Sequence, residues 1–393
     1  LLSHYYTSYL MSELDNLQNE TTIQTIDRVN SSFWKDKRVL ITGITGFVGS
    51  WLTEILSSES VNANIFGLLR RQSNPNLRNI NHLLDRKNIK LLKGDLHDIG
   101  SIINAIKESE AEVIYHLAAQ SFVPHSFASP IDTYFTNVNG TINMLEALRI
   151  SPQDVSLHYA GSSEEYGLVI RNDDHYQQML SKYNTILPSP NFDNNNKVIS
   201  EVPVKETNPL RTVGTSPYGS SKRQAEDSCR IYVSCYGLDV HITRAFNHTG
   251  PRRGNEFVTS EITRQIAQGI KSDKKEISLG NLDSIRDFTD VRDTVLGYLS
   301  VIEKGKKGDV YNLASGRGIT IEELLNISLS IAKDNYDVHD MNYKLDGSRL
   351  RPTDLPVLVG DASKAKENLG WKTNIPLERT LLEMIQHHIS QMS

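Results

Sequence analysis

The chain has 393 residues, 38% hydrophobic and 23% charged, enough apolar material for one large or two ordinary domains with a sizeable core. A formal net charge of -5 argues against nucleic acid or an anionic membrane as partner, so an anionic ligand has to be held by local arginines. The two cysteines, Cys229 and Cys235, are too few for a disulfide framework or a zinc site, and no metal is expected.

Leu1 to Leu10 carry three tyrosines and no basic stretch, unlike a signal peptide. Met11, the first methionine, is the expected natural start, with upstream read-through before it. No apolar run reaches the length of a membrane span, and the cytoplasm is the expected location. Residues 1–34 are polar without a clear apolar period and read as a weakly ordered N-terminal arm.

From Arg38 short apolar runs alternate with helical stretches. The runs are Val39-Leu40-Ile41, Ile65 to Leu69, Ile89 to Leu92, Val113 to Leu117, Leu157 to Ala160 and Val240 to Ile242. Continuous apolar strands separated by helices predict a parallel sheet covered on both faces, a doubly wound α/β Rossmann architecture over residues 35–247. Within it, Leu168 to Val204 is polar and turn-rich, with Asn172-Asp173-Asp174, Asn194-Asn195-Asn196, Pro188 and Pro190. It reads as a long loop, either a tolerated surface insertion or a lid over the adjoining strand. Beyond Asn247 the spacing becomes irregular. Helices are expected over Glu261 to Ile270, Val291 to Ile302, Ile321 to Ala332 and Leu377 to His388, with strands at Ile277 to Leu279 and Val310 to Leu313. Residues 248–393 thus predict a smaller mixed α/β substrate-binding domain, interleaved with the first.

The first strand runs into Thr42-Gly43-Ile44-Thr45-Gly46-Phe47-Val48-Gly49 and then a helix. Gly43 allows a tight turn, Gly46 lets backbone approach a pyrophosphate, and Gly49 lets the helix pack close to the sheet. The helix N-terminus offers free N–H groups to phosphates. The second strand ends in Arg70-Arg71 and not in an acid. Two guanidiniums suit a 2′-phosphate, favouring NADP over NAD, with a solvated basic turn as the alternative. Asp95, beside Leu96, is placed to reach the adenine after the third strand. Leu117, Ala118, Ala119 and Gln120 follow the fourth and lie along the nicotinamide side.

Tyr218 and Lys222 stand four apart at the start of a helix and share a face. A nearby ammonium and a positive nicotinamide are expected to lower the phenol's pKa until it can take a hydroxyl proton as hydride leaves. At the end of the fifth strand Ser162 can hydrogen-bond the reacting oxygen, and Glu164 can remove a carbon-bound proton beside a new ketone; Glu165 is expected in solvent. The alternative for Glu164 is a surface acid at a strand end.

These residues stand together with further runs: Gly67-Leu68-Leu69-Arg70-Arg71, Phe246-Asn247-His248-Thr249-Gly250-Pro251-Arg252-Arg253-Gly254, Phe257-Val258-Thr259, Leu279 to Asp283, Arg286-Asp287-Phe288, Arg351 to Pro356 and Gly370-Trp371. The set resembles the extended short-chain dehydrogenase/reductase family over Arg38 to Ile389, closest to its branch of GDP-mannose-consuming 4,6-dehydratases. The resemblance implies that Asn247, Arg286 and Arg351 hold a sugar-nucleotide diphosphate and Asp354 the nucleotide ribose. It places Ser121 and Val258 at the substrate, and Thr45, Asn247, His248 and Arg253 at the cofactor. It also implies a homodimer or homotetramer. The dehydratases commonly have Thr where Ser162 stands, the Gly161-to-Gly167 run also occurs in a sister reductase, and the Leu168 to Val204 insertion is longer than usual. The expected activity is sugar-nucleotide 4,6-dehydration with internal hydride return. A 4-keto-sugar reductase, a 4-epimerase and a non-catalytic dinucleotide sensor are the alternatives.

Overall fold

The computed structural model describes residues 18–272, 275–336, 338, 341–349 and 354–392. Its strands are β1 (Arg38–Thr42), β2 (Asn64–Leu69), β3 (Ile89–Lys93), β4 (Val113–His116), β5 (Ser156–Ser162), β6 (Val240–Ala245), β7 (Asn247–Thr249), β8 (Glu276–Leu279), β9 (Ile285–Asp290), β10 (Val310–Leu313), β11 (Gly318–Thr320), β12 (Asn342–Leu345) and β13 (Val357–Leu358). Seven of them form one sheet in the order β10-β6-β5-β4-β1-β2-β3, with every pairing parallel. The order reverses beside β1, and at such a switch the C-terminal ends of the strands open a crevice. The apolar runs form strands because both faces are covered. Helices Phe47–Leu56 and Val291–Lys304 pack on one face through Trp51, Leu52, Val295 and Leu299. Helices Ile99–Ser109, Gly140–Ile150 and Pro217–Tyr236 pack on the other through Ile102, Met144, Leu145 and Ala225.

Beyond Asn247 a second core joins helices Val258–Lys271, Ile321–Tyr336 and Leu377–Gln391 through Ile262, Leu324 and Met384. Small sheets made of β11-β9-β13, with β7 beside β9, and of β12-β8 complete this part. The chain also returns to the main sheet: β10 adds its edge strand beside β6, and Ala365, Leu369 and Trp371 join its core.

Two polar regions differ from expectation. Residues 18–26, read as part of a weakly ordered arm, are helical and docked. Thr21, Thr22 and Thr25 are buried, Thr21 donates to Glu383 at 2.6 Å, Arg28 pairs with Asp293 at 2.9 Å, and Trp34 is fully buried. The docking face is built from threonines that find buried partners, so it leaves no apolar period in the sequence. The Leu168 to Val204 stretch, read as a loop, contains a helix over Asp173–Tyr183. Asn172 caps it by accepting from His175 N, and Asp173 and Asp174 sit in its first turn, so the supposed turn signal is a helix start. Leu168, Ile170 and Ile186 give the segment its own small core, and Glu201 forms a buried two-bond pair with Arg211 at 2.6 Å.

Candidate active site

A cavity of about 960 Å3 lies at the C-terminal ends of the sheet strands and runs out to the smaller part of the chain. At one end is the glycine loop. Gly43 has φ +74°, and a Cβ there would lie 3.0 Å from Ala118 N. A Cβ on Gly49 would lie 2.2 Å from the Gly43 carbonyl, so the helix can sit this close only without one. Gly46 caps the helix Phe47–Leu56 without any side-chain hydrogen bond, and Phe47, Val48 and Gly49 line the cavity. That is an anion cradle of free N–H groups at a positive helix end. Thr42 Oγ1 accepts from both Leu117 N and Ala118 N at 3.1 Å and so ties the ends of β1 and β4 together. Leu117, Ala118, Ala119 and Ser121 continue the wall.

In the middle lie Ser162, Glu164, Tyr218 and Lys222. Ser216 accepts from Gly219 N at 3.0 Å and Pro217 takes the first helical position, starting the helix Pro217–Tyr236. Tyr218 and Lys222 therefore fall on one face, towards Ser162 and Glu164, and all four line the cavity. Asn137, in a π-turn at Phe135–Asn139, donates to Ser221 Oγ at 2.9 Å and to Gln120 O at 3.0 Å, clamping this helix to the loop after β4. Burial pushes Tyr218 up to about 12, against a lowering hydrogen bond with Ser162. The expected drop is absent in the free protein because desolvation disfavours the phenolate more than its neighbours favour it. Burial likewise lowers Lys222 to about 8, with its ammonium 4.8 Å above the Tyr159 ring. Burial and then the nearby Arg253 hold His248 down to about 3, so its imidazole is neutral; it stacks on Phe47 at 6.1 Å. Arg253 lies between Phe47 and Phe257, with its guanidinium 4.9 Å and 3.5 Å from the ring centres. Asn247 and His248 line the adjoining wall.

At the far end Arg286 donates to Asp354 at 2.8 Å, and Asp354 also accepts from Ser284 at 2.6 Å and from Asn281 at 3.0 Å. Val258 lies nearby on the cavity wall. Arg351 falls outside the described residues.

Six of the expected cofactor residues lie outside the cavity lining. Arg70 and Arg71 are exposed just past the end of β2, beyond the cavity lining. Thr45, Asp95 and Leu96 do not line it either. Gln120 spends its side chain on Thr133 Oγ1 at 3.0 Å and on Phe122 N at 2.6 Å, so it shapes the wall without lining it. Glu165, expected in solvent, is 1% exposed. Glu261, Tyr298, Ser284 and Arg349 are among the lining residues that the sequence did not single out. Tyr298 sits in an apolar helix and Glu261 beside Arg264 at helical spacing, so both read as ordinary scaffold. Arg349 precedes Arg351-Pro352, and that cluster of basic residues was the available signal.

The fold and this cavity define a dinucleotide-dependent enzyme with a tyrosine–lysine pair. The NAD dependent epimerase/dehydratase family matches residues 39–314, and the chain belongs to that family. It is 32% identical over 386 residues to GDP-mannose 4,6-dehydratase of Yersinia enterocolitica, covering 90% of this chain and 94% of that one. It is also 32% identical over 391 residues to GDP-mannose 4,6 dehydratase 2 of Arabidopsis thaliana, covering 97% and 94%. Among solved structures, RMD from Pseudomonas aeruginosa complexed with NADPH is similar, at TM-score 0.66 and 26% identity, covering 90% of this chain and 99% of that one. UDP-N-acetylglucosamine 4-epimerase from Methanobrevibacter ruminantium shares the fold, at TM-score 0.72 and 24% identity, covering 91% and 100%.

Proposed function

We propose that the protein is a GDP-mannose 4,6-dehydratase that yields GDP-4-keto-6-deoxy-mannose and works with NADP. The observation that carries this reading is the convergence of Ser162, Glu164, Tyr218 and Lys222 on one cavity, between a phosphate cradle and the Arg286–Asp354 end. The 32% identity to dehydratases over nearly the whole chain supports it. The cradle fits a dinucleotide, since its helix end is uncapped by any side chain and admits no Cβ at Gly49. Arg70 and Arg71 stand past the end of the neighbouring strand, where a 2′-phosphate needs cations.

When bound, NADP would supply a hydride acceptor for sugar C4 and positive charge beside Tyr218 while oxidised, and a hydride donor for C6 once reduced. Tyr218 takes the C4 hydroxyl proton, with Ser162 bonded to the oxygen and the Lys222 ammonium stabilising the phenolate. The new ketone acidifies C5, and Glu164 removes the C5 proton. Glu164 hands that proton to the C6 hydroxyl, which leaves as water. The proton held by Tyr218, exchanging through solvent, replaces the one lost from C5. Asn247, Arg286, Arg351 and Asp354 hold the sugar nucleotide.

Ile131, Phe135, Ile231 and Tyr236 expose apolar surface on and beside the helix Pro217–Tyr236, which supports a homodimer formed across that face, alone or within a homotetramer. Among the described residues no helix is long and apolar enough to cross a membrane, and we place the enzyme in the cytoplasm.

The test is mass spectrometry of purified protein with GDP-mannose and catalytic NADP. Loss of one water without net NADPH supports the dehydratase. An unchanged substrate, with NADPH oxidised only when the 4-keto compound is supplied, would replace it with the reductase.

A further inference from the structure

Glu165 is a buried acid for which the reaction above has no use. Its side chain is 0% exposed, and the groups facing it come from three other elements. Arg244 lies on β6, Tyr159 on β5, and Tyr218, Lys222, Glu226 and Cys229 on the helix Pro217–Tyr236, with Glu164 and Tyr166 on its own turn.

Its first role is local. Glu165 Oε1 accepts from Ser162 N at 2.7 Å, while Ser162 Oγ accepts from Glu164 N at 3.2 Å. These reciprocal bonds close the turn Ser163–Tyr166 as a capping box. The turn carries two proposed reaction groups, the Ser162 hydroxyl and the Glu164 carboxylate, and Glu165 fixes their angle towards Tyr218.

Its charge follows from counting partners. Arg244 gives Nε and Nη2 to Glu226, at 2.8 Å and 2.7 Å, and Glu226 Oε1 also accepts from Arg230 at 2.9 Å. Arg244 Nε is 3.6 Å from Glu165 Oε2, too far for a hydrogen bond, and that oxygen has no donor although it is buried. A bare carboxylate oxygen beside a second carboxylate is the costly arrangement. One proton on Oε2 removes the cost, since it turns the oxygen into a donor towards Glu226. Burial and then the Glu226 charge push Glu165 well above the usual carboxylate range. Against its own burial, Glu226 is held down to about 2 by the bonds to Arg244, so the proton stays with Glu165.

We propose that Glu165 is a positioning residue, a neutral carboxyl group wedged between Ser162 N and Glu226 that sets the Ser162–Glu164 turn against Tyr218 and leaves Lys222 without a carboxylate counterion. The proposal rests on the dehydratase reading only for the roles of Ser162 and Glu164. Burial lowers Lys222 against an opposing pull from the Glu165 charge, and a neutral Glu165 takes that pull away.

Glutamine reproduces a protonated glutamate, accepting from Ser162 N and donating to Glu226; leucine reproduces neither bond. In Glu165→Gln, kcat should stay within about threefold of the parent and the alkaline limb of its pH profile should not move, since no charge is removed. In Glu165→Leu, kcat should fall about 100-fold with KM little changed, as for a misplaced reacting group. Infrared difference spectra between parent and Glu165→Gln at neutral pH need no substrate, so they hold whatever the reaction proves to be. They should show the carbonyl stretch of one protonated carboxylic acid in the parent only. A parent spectrum without that band, an alkaline limb shifted to lower pH in Glu165→Gln, or equal loss of kcat in both variants would overturn the proposal.

Discussion

The two walls of the cavity nearest the sheet are built from different materials. The glycine-loop wall is backbone: missing Cβ atoms at Gly43 and Gly49, an uncapped helix end, and one threonine, Thr42, that ties two loops together. The wall around Ser162 and Lys222 is charge taken out of water, with Glu165, Glu226, Arg244 and Lys222 all buried. The first works by shape and by the fixed dipoles of its backbone N–H groups. The second works by balance, so that moving one proton or one carbon there changes the neighbours' pKa values. Substitutions should therefore act on affinity and stability at the first wall, and on turnover and pH response at the second.

The largest break in that contrast is expected from Tyr218→Phe. It removes the acid–base group and should lower kcat on the order of 10²–10⁴-fold, while nucleotide binding, followed by fluorescence titration, stays near the parent's. Glu164→Gln comes next. It should allow C4 oxidation, seen as absorbance of reduced cofactor in a single turnover, but no water loss; full turnover in that variant would remove Glu164 from the reaction.

At the backbone wall, Gly49→Ala drives a methyl group into the Gly43 carbonyl. It should cost about 1–3 kcal/mol in denaturant unfolding and weaken cofactor binding, with the shape of the pH profile unchanged. A pH response sharpens the comparison. Burial holds Lys222 at about 8, so its ammonium is lost as pH rises through that value, and kcat/KM of the free enzyme should fall on the alkaline side from there.

The last effect is on stability in acid. Burial keeps His116 and His248 at about 3, well below the ordinary imidazole value. Between those two values the unfolded chain binds protons that the native one does not, so stability rises with pH across this window and falls on acidification. Urea midpoints should drop progressively below about pH 6.5, where free imidazole begins to charge.

The backbone wall was legible in the sequence because glycine spacing between a strand and a helix is a local pattern. So were the parallel sheet and the helices that flank it, which follow from short apolar runs at regular intervals. Tyr218 and Lys222 were readable for the same reason, being one helical turn apart. The buried charges were not. Glu165 looks like any acid past a strand end until Arg244 and Glu226 arrive from a neighbouring strand and helix. The docked helix of residues 18–26 was missed because its inward face is threonine, and the helix Asp173–Tyr183 because its cap, Asn172-Asp173-Asp174, has the composition of a turn. Arg286 and Asp354 were read as separate ligand contacts, but they pair with each other over 68 positions of sequence, a contact no local pattern encodes.

In the proposed reaction one enzyme takes hydride from C4, eliminates water from C6 and puts the same hydride back. GDP-mannose carrying deuterium at C4, incubated with the protein and a trace of NADP, tests this most directly. The expected product is the 4-keto-6-deoxy compound with the deuterium at C6, with no accumulation of reduced cofactor. Deuterium stranded on the cofactor, or a product that keeps its C6 hydroxyl, would contradict it.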